Sequence, residues 1–181
     1  VRTKALLFCG VLALFIIRVY FPWLPVDGGR PNAGRGTLPP IVRPAPAEAE
    51  IIRHMQDHPD QGRPTLIVHG TLMQVAEAHA ADMAERGYFD HINPDGVNAN
   101  GRVIDAGYAL PYPRDANNIE SIAGGYATAQ AAWDAWMDSD AHRAHLLAED
   151  DFFAAQIYVG VGYVYVEGSE YGHYWVVVTA P

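Results

Sequence analysis

Two histidines and one glutamate, His91, His142 and Glu120, have the side-chain types from which a reactive or ligand-binding cleft is built. Imidazole titrates near pH 6.5 and, when neutral, offers a lone pair to a divalent metal, while a carboxylate orients such a ring or acts as a general base. His91 and His142 can hold Zn²⁺ with water in the open positions, and Glu120 can ligate or activate that water. Two histidines are fewer than the three or four protein ligands zinc normally takes. The same residues therefore also read as a hydrogen-bonded pair that fastens loops to helices, with Glu120 accepting backbone amides. His91 and Glu120 are 29 residues apart and Glu120 and His142 22, so only the fold can bring them together. Ser139 precedes His142 by three residues, which on a helix would put a hydroxyl nucleophile and an imidazole base on one face. No G-x-S-x-G elbow supports that chemistry, and Ser139 reads better as the N-cap of the following helix.

The remaining candidates read as structural. His79 falls on the buried side of a helical pattern, and His54, His58, His69 and His145 read as surface or loop residues without function. His173 opens a strand, where packing is the default. Gly124-Gly125 is followed by no Lys-Ser/Thr pair and is no phosphate loop. Glu149-Asp150-Asp151 reads as a solvated loop.

The elements that must position these groups follow from periodicity. Ala47 to His58 reads as a short helix stopped by Pro59. Leu72, Val75, Ala76, His79, Ala80 and Met83 recur at helical spacing between a capping Thr71 and a terminating Gly87. Residues 88–126, rich in Gly, Pro, Asn and Asp, read as loops with short helical turns, which leaves Glu120 in a glycine-rich loop. Thr128 caps a helix with Ala129, Ala132, Trp133, Trp136 and Met137 on one apolar stripe, and a shorter helix spans Asp140 to Leu147. Gln156–Val166 and His173–Thr179 are β-branched and aromatic runs that form an antiparallel hairpin. Gly160 and Gly162, alternating with valines and Tyr163, predict close approach of a helix to that sheet. Helices first and strands last give an α+β domain.

The chain has 181 residues, 50% of them apolar, enough for one folded core. Residues 27–181 carry 9 cations against 21 anions, a balance that repels phosphate backbones and makes nucleic acid a poor partner. The single cysteine, Cys9, leaves no internal disulfide. Arg2 and Lys4 precede an uncharged run from Ala5 to Ile17, which spans about 20 Å as a helix against about 30 Å of hydrocarbon. The apolar stretch resumes after Arg18, so residues 1–26 read as a signal anchor or signal peptide. The basic amino end puts the rest of the chain outside the cytoplasm. Residues 22–46 hold seven of the 13 prolines, and 27–46 form a Pro/Gly-rich linker before a domain at 47–181.

Four segments in order, Tyr88-Phe89-Asp90-His91, Glu120-Ser121-Ile122-Ala123-Gly124-Gly125, Trp136 through Arg143, and Val159-Gly160-Val161-Gly162 with Tyr174-Trp175-Val176, resemble the CAP superfamily of cysteine-rich secretory proteins, antigen 5 and pathogenesis-related proteins, in its bacterial secreted branch. The resemblance covers about residues 48–181. It implies a three-layer α-β-α sandwich with a small antiparallel sheet and a cleft lined by two histidines and two acids. His91, Glu120 and His142 fall on three of those positions, and Ser139 stands where many members have the second acid. Ser121 stands where the common motif has asparagine. The resemblance implies, first, an extracytoplasmic binding module for a small ligand, lipid, peptide or metal. A metal-assisted hydrolase of peptides or cell-envelope polymers is the alternative, and a structural envelope or adhesion domain the third.

Overall fold

The apolar spacing from Leu72 to Met83 is realised as the longest helix among the described residues, and the sheet is built against it. The computed structural model describes residues 43–181; the apolar segment 1–26, Cys9 and nearly all of the 27–46 linker lie outside them. In chain order the elements are α1 (Pro46–Asp57), β1 (Ile67–Val68), α2 (Gly70–Arg86), α3 (Ala99–Asp105), β2 (Glu120–Gly124), α4 (Ala129–Met137), α5 (Asp140–Leu147), α6 (Asp151–Ala154), β3 (Tyr158–Tyr165) and β4 (His173–Ala180). Among the described residues no helix is long and apolar enough to cross a membrane.

The sheet has the order β1-β3-β4-β2. β3 and β4 form the expected antiparallel hairpin, with Gly162 opposite Val176 and Tyr165 opposite His173. β2 adds antiparallel to β4, Glu120 opposite Val178. The two-residue β1 pairs parallel with β3, so the sheet is mixed and not purely antiparallel.

Alternation along β4 divides the core into two. Tyr174, Val176 and Val178 pack with Leu72, Ala76 and Met83 of α2 and with Ala99 and Val103 of α3. Trp175 and Val177 pack on the opposite face with Ile51 and Met55 of α1, Trp133 and Trp136 of α4, and Leu146 and Leu147 of α5. Period-two side chains on strands and helical stripes on both sides make this a three-layer α-β-α sandwich.

The glycines of β3 set the spacing of one interface. A Cβ on Gly160 would lie 2.0 Å from the Leu72 carbonyl carbon, and one on Gly162 2.2 Å from that of Ala76. The α2 backbone therefore lies directly on the strand, as the Gly-Val alternation predicts. Gly87, at φ +67°, ends α2 in the left-handed conformation, its N–H bonded to the Met83 carbonyl.

The structure departs from local expectation in several places. α2 starts at Gly70 with His69 as N-cap, so Thr71 is in the first turn and does not cap. Thr128 does cap α4, accepting from Ala131 N–H. Ser139 is the N-cap residue of α5 but its hydroxyl makes no capping bond. Glu120 is on a strand and not in a loop; β2 lies between α3 and α4, so strands do not all come last. β2 is five residues long and its partner is some fifty residues away, so no local period announces it.

Candidate functional site

β2 is an end strand of the sheet, and it brings two layers of the sandwich to one place. Glu120 and Ile122 share its α2/α3 face, while Ser121 and Ala123 share the other. Glu120 therefore meets α2, α3 and the loop between them, and Ser121 meets α5.

The Glu120 carboxylate is fully buried. His91 Nδ1–H donates to its Oε1 at 2.8 Å, and Arg102 Nη2 donates to Oε2 at 2.5 Å. Arg102 belongs to α3 and also donates from Nη1 to the backbone carbonyls of His91, at 2.8 Å, and Val97, at 3.0 Å. One guanidinium thus holds both the carboxylate and the loop that presents His91. His79 Nε2 lies 3.8 Å from Glu120 Oε1 and donates to the Asp90 carbonyl at 3.1 Å. The Tyr88 hydroxyl donates to Asp82 and sits 3.3 Å from His79 Nδ1. Tyr88, Asp90 and His91 are each held by a hydrogen bond.

Burial alone would raise the Glu120 pKa. The His91 hydrogen bond, the Arg102 charge and His79 outweigh it and leave the carboxyl below its usual value. His79 is lowered chiefly by burial, against the pull of Glu120.

His142 comes from α5, in the other layer. It is half-buried, has no hydrogen-bond partner among the described residues, and its pKa is lowered first by burial and then by the positive charge His91 would carry. The structure therefore joins His91 to Glu120 directly and sets His142 within electrostatic reach of His91. Ser139 lies one turn earlier at the start of α5, with no hydrogen bond to His142, so no serine–histidine pair forms.

Behind the site lies a buried polar chain that the sequence did not disclose. His145, read as a surface residue, is buried. Its Nδ1 is 2.7 Å from Ser121 Oγ and its Nε2 2.7 Å from Thr179 Oγ1. The Thr179 hydroxyl donates to Gln156 Oε1, so His145 donates from Nε2 and accepts the Ser121 hydroxyl at Nδ1. Burial, with the Arg63 charge second, pushes the His145 pKa well below 6.5. Arg63, also buried, donates to the carbonyls of Gln156, Leu146 and His145, and burial lowers its pKa to about 10. This chain ties α5, and with it His142, to the strand that carries Glu120. His145 follows His142 by three residues on the same helix, and that spacing was its one sequence signal. Arg102 had none, because an arginine in a polar stretch reads as solvated.

Among the described residues no three His, Cys, Asp or Glu side chains converge as a metal site. His91 still has a donor arrangement that suits a metal: Glu120 holds Nδ1–H and leaves Nε2 as the ligating nitrogen, the carboxylate–histidine order found behind metal-bound imidazoles.

The family model of the cysteine-rich secretory protein family, CAP, matches residues 32–179, and the chain belongs to that family. It is 33% identical over 106 residues to the protein YkwD of Bacillus subtilis (strain 168), a match covering 58% of this chain and 37% of that one. The chain thus spans little more than a third of that relative. An outer surface protein from Borrelia burgdorferi superposes with a TM-score of 0.57 at 19% identity, over 74% of this chain and 87% of that chain. An extracellular protein containing a SCP domain from Bacillus anthracis str. Ames does so with a TM-score of 0.57 at 22% identity, over 75% and 40%. At such identities the likeness is one of fold.

Proposed function

We propose that the chain is an extracytoplasmic binding module, tethered to the membrane or released by its amino-terminal segment, that takes a small ligand or a divalent metal ion at His91 and His142. The observation that carries this reading is the state of Glu120. Both its oxygens are occupied inside the fold, by His91 and Arg102, so the carboxylate fixes the ring and is not free to take a proton from water. His91 keeps Nε2 without a partner among the described residues, and His142 keeps both nitrogens. These are groups set to receive a polar ligand. A hydrolase would need Glu120 as base or Ser139 as nucleophile, and the bonding of neither favours it.

If Zn²⁺ occupies the pair, His91 and His142 would hold it, with Glu120 behind His91 and the remaining positions left to water or ligand. The ion would supply Lewis acidity; the chain orients the rings. An extracytoplasmic address rests on the amino-terminal segment and on the neighbours named as an outer surface and an extracellular protein.

The test is to purify the full chain and its His91→Gln/His142→Gln variant and analyse extracted small molecules by mass spectrometry, alongside hydrolysis assays on peptides and cell-envelope fragments. The binding reading expects a compound retained by the native chain and lost from the variant, with no turnover. Turnover abolished by Glu120→Gln in a variant that circular dichroism shows to be folded would replace it with the hydrolase.

A further inference from the structure

In the layer that holds α1 and α4, a second pair of imidazoles surrounds one indole. His54 stacks on Trp133 with ring centroids 5.3 Å apart and planes 15° from parallel; His58 lies against the same ring at 5.9 Å and 52°. The two are four residues apart. His54 is near the end of α1 and His58 is its C-cap, whose φ of −66° is still helical, so both Cβ bonds leave the same side of the helix. Pro59 follows and restricts His58 to its extended ψ of 130°. Both rings, with Arg53, Asp57, Pro59 and Trp133, line a cavity of about 220 Å³. A water molecule occupies about 30 Å³ of liquid, so a hydrated ion fits.

The charges around the cavity favour a cation. Glu50 Oε1 is 3.8 Å from His54 Nε2, Asp60 Oδ2 is 3.9 Å from His58 Nδ1, and Asp57 is on the wall; among the described residues Arg53 is the only lysine or arginine lining it. These carboxylates lie beyond hydrogen-bond distance of the rings and add negative potential around the cavity. His54 Nε2 is buried without a hydrogen-bond partner, a cost that a ligand would relieve. Each side chain is 25% exposed, so the pair borders solvent although His54 Nε2 itself is covered.

We propose that His54 and His58 form a binding site for a divalent transition-metal ion, separate from the His91 and His142 cleft. Two histidines at i and i+4 on one helix face are the donor pair of helical zinc motifs. The imidazoles supply one lone pair each, and water completes the coordination. His58 Nδ1 now accepts the exposed Asp60 N–H at 3.2 Å. The ion either takes Nδ1, leaving that amide to water, or takes Nε2, and the ring proton then moves to Nδ1 while the ring turns from the Asp60 N–H toward Asp60 Oδ2. Imidazole sites of this kind bind Cu²⁺ more tightly than Ni²⁺ or Zn²⁺, and bound Cu²⁺ quenches a neighbouring indole.

The experiment is a Cu²⁺ titration of the full chain followed by tryptophan fluorescence, repeated on His54→Phe, His58→Gln and His91→Ala/His142→Ala. His54→Phe keeps a ring on Trp133 while removing the nitrogens, and thermal melts followed by circular dichroism check that each variant is folded. The expected result is saturable quenching whose midpoint rises at least about tenfold in His54→Phe and in His58→Gln and stays unchanged in the cleft variant. If His54→Phe does not fold, His58→Gln at the helix end decides by itself. Non-saturable quenching, a wild-type midpoint in His58→Gln, or quenching lost only in His91→Ala/His142→Ala would overturn the proposal.

Discussion

At the scale of single residues, Glu120 joins stability to the proposed site. Replacing it by glutamine preserves its shape and removes the charge between Arg102 and His91, so Arg102, 12% exposed at its side chain, is left as a largely buried unpaired cation. The expected cost is about 3 kcal/mol, read from urea unfolding at pH 7. Adding Arg102→Met to Glu120→Gln is expected to recover part of that loss, which a double-mutant cycle measures; full additivity would mean the two do not interact. Because the folded pKa of Glu120 is lowered, its contribution is present above the ordinary glutamate range near pH 4.3 and is lost as pH falls through the folded value.

At the scale of elements, the contact between α2 and β3 leaves no room for a side chain. Gly160→Ala or Gly162→Ala would drive a methyl into the backbone of Leu72 or Ala76. Backbone does not turn aside as a flexible side chain does, so helix and strand must part. Each variant is expected to lose about 3 kcal/mol or more, measured by the denaturation midpoint. The same α2 positions His79 and, through Asp90, the His91 loop. A Gly162→Ala protein that still folds should therefore also show a displaced His91 imidazole resonance in NMR spectra, whereas a purely local effect would leave it in place. On the opposite face, the Ser121–His145–Thr179–Gln156 chain fastens α5 to β2 and β4, so α5 is located by polar bonds as well as by Leu146 and Leu147.

At the scale of the whole molecule, three histidines share one titration behaviour. His79, His142 and His145 all have folded pKa values below 6.5, with burial the largest cause in each. As pH falls below about 6.5 the unfolded chain binds protons that the folded chain does not, so the native state loses stability. The contribution is complete above the unfolded pKa and disappears as pH falls toward the folded values. Stability is expected to drop between pH 7.5 and 5.5 by at most about 1.4 kcal/mol per proton per pH unit, read from denaturation midpoints. His145→Asn should reduce that slope. A midpoint that is flat over this interval would show these rings protonating in the native state.

The sequence by itself determined the family, most of the helices and the hairpin, because helical and alternating periods and ordered motifs are local properties of the chain. It also named His91, Glu120 and His142, and it read the close packing on Gly160 and Gly162 correctly from their alternation with larger residues. Tertiary structure alone decided that Glu120 is on a strand, that Arg102 holds it, and that His145 is buried. Each of these depends on partners brought from far along the chain: Val178 beside Glu120, Thr179 and Ser121 beside His145. A five-residue strand or a polar side chain carries no mark of such a partner, since pairing and burial are set by what the rest of the fold places opposite.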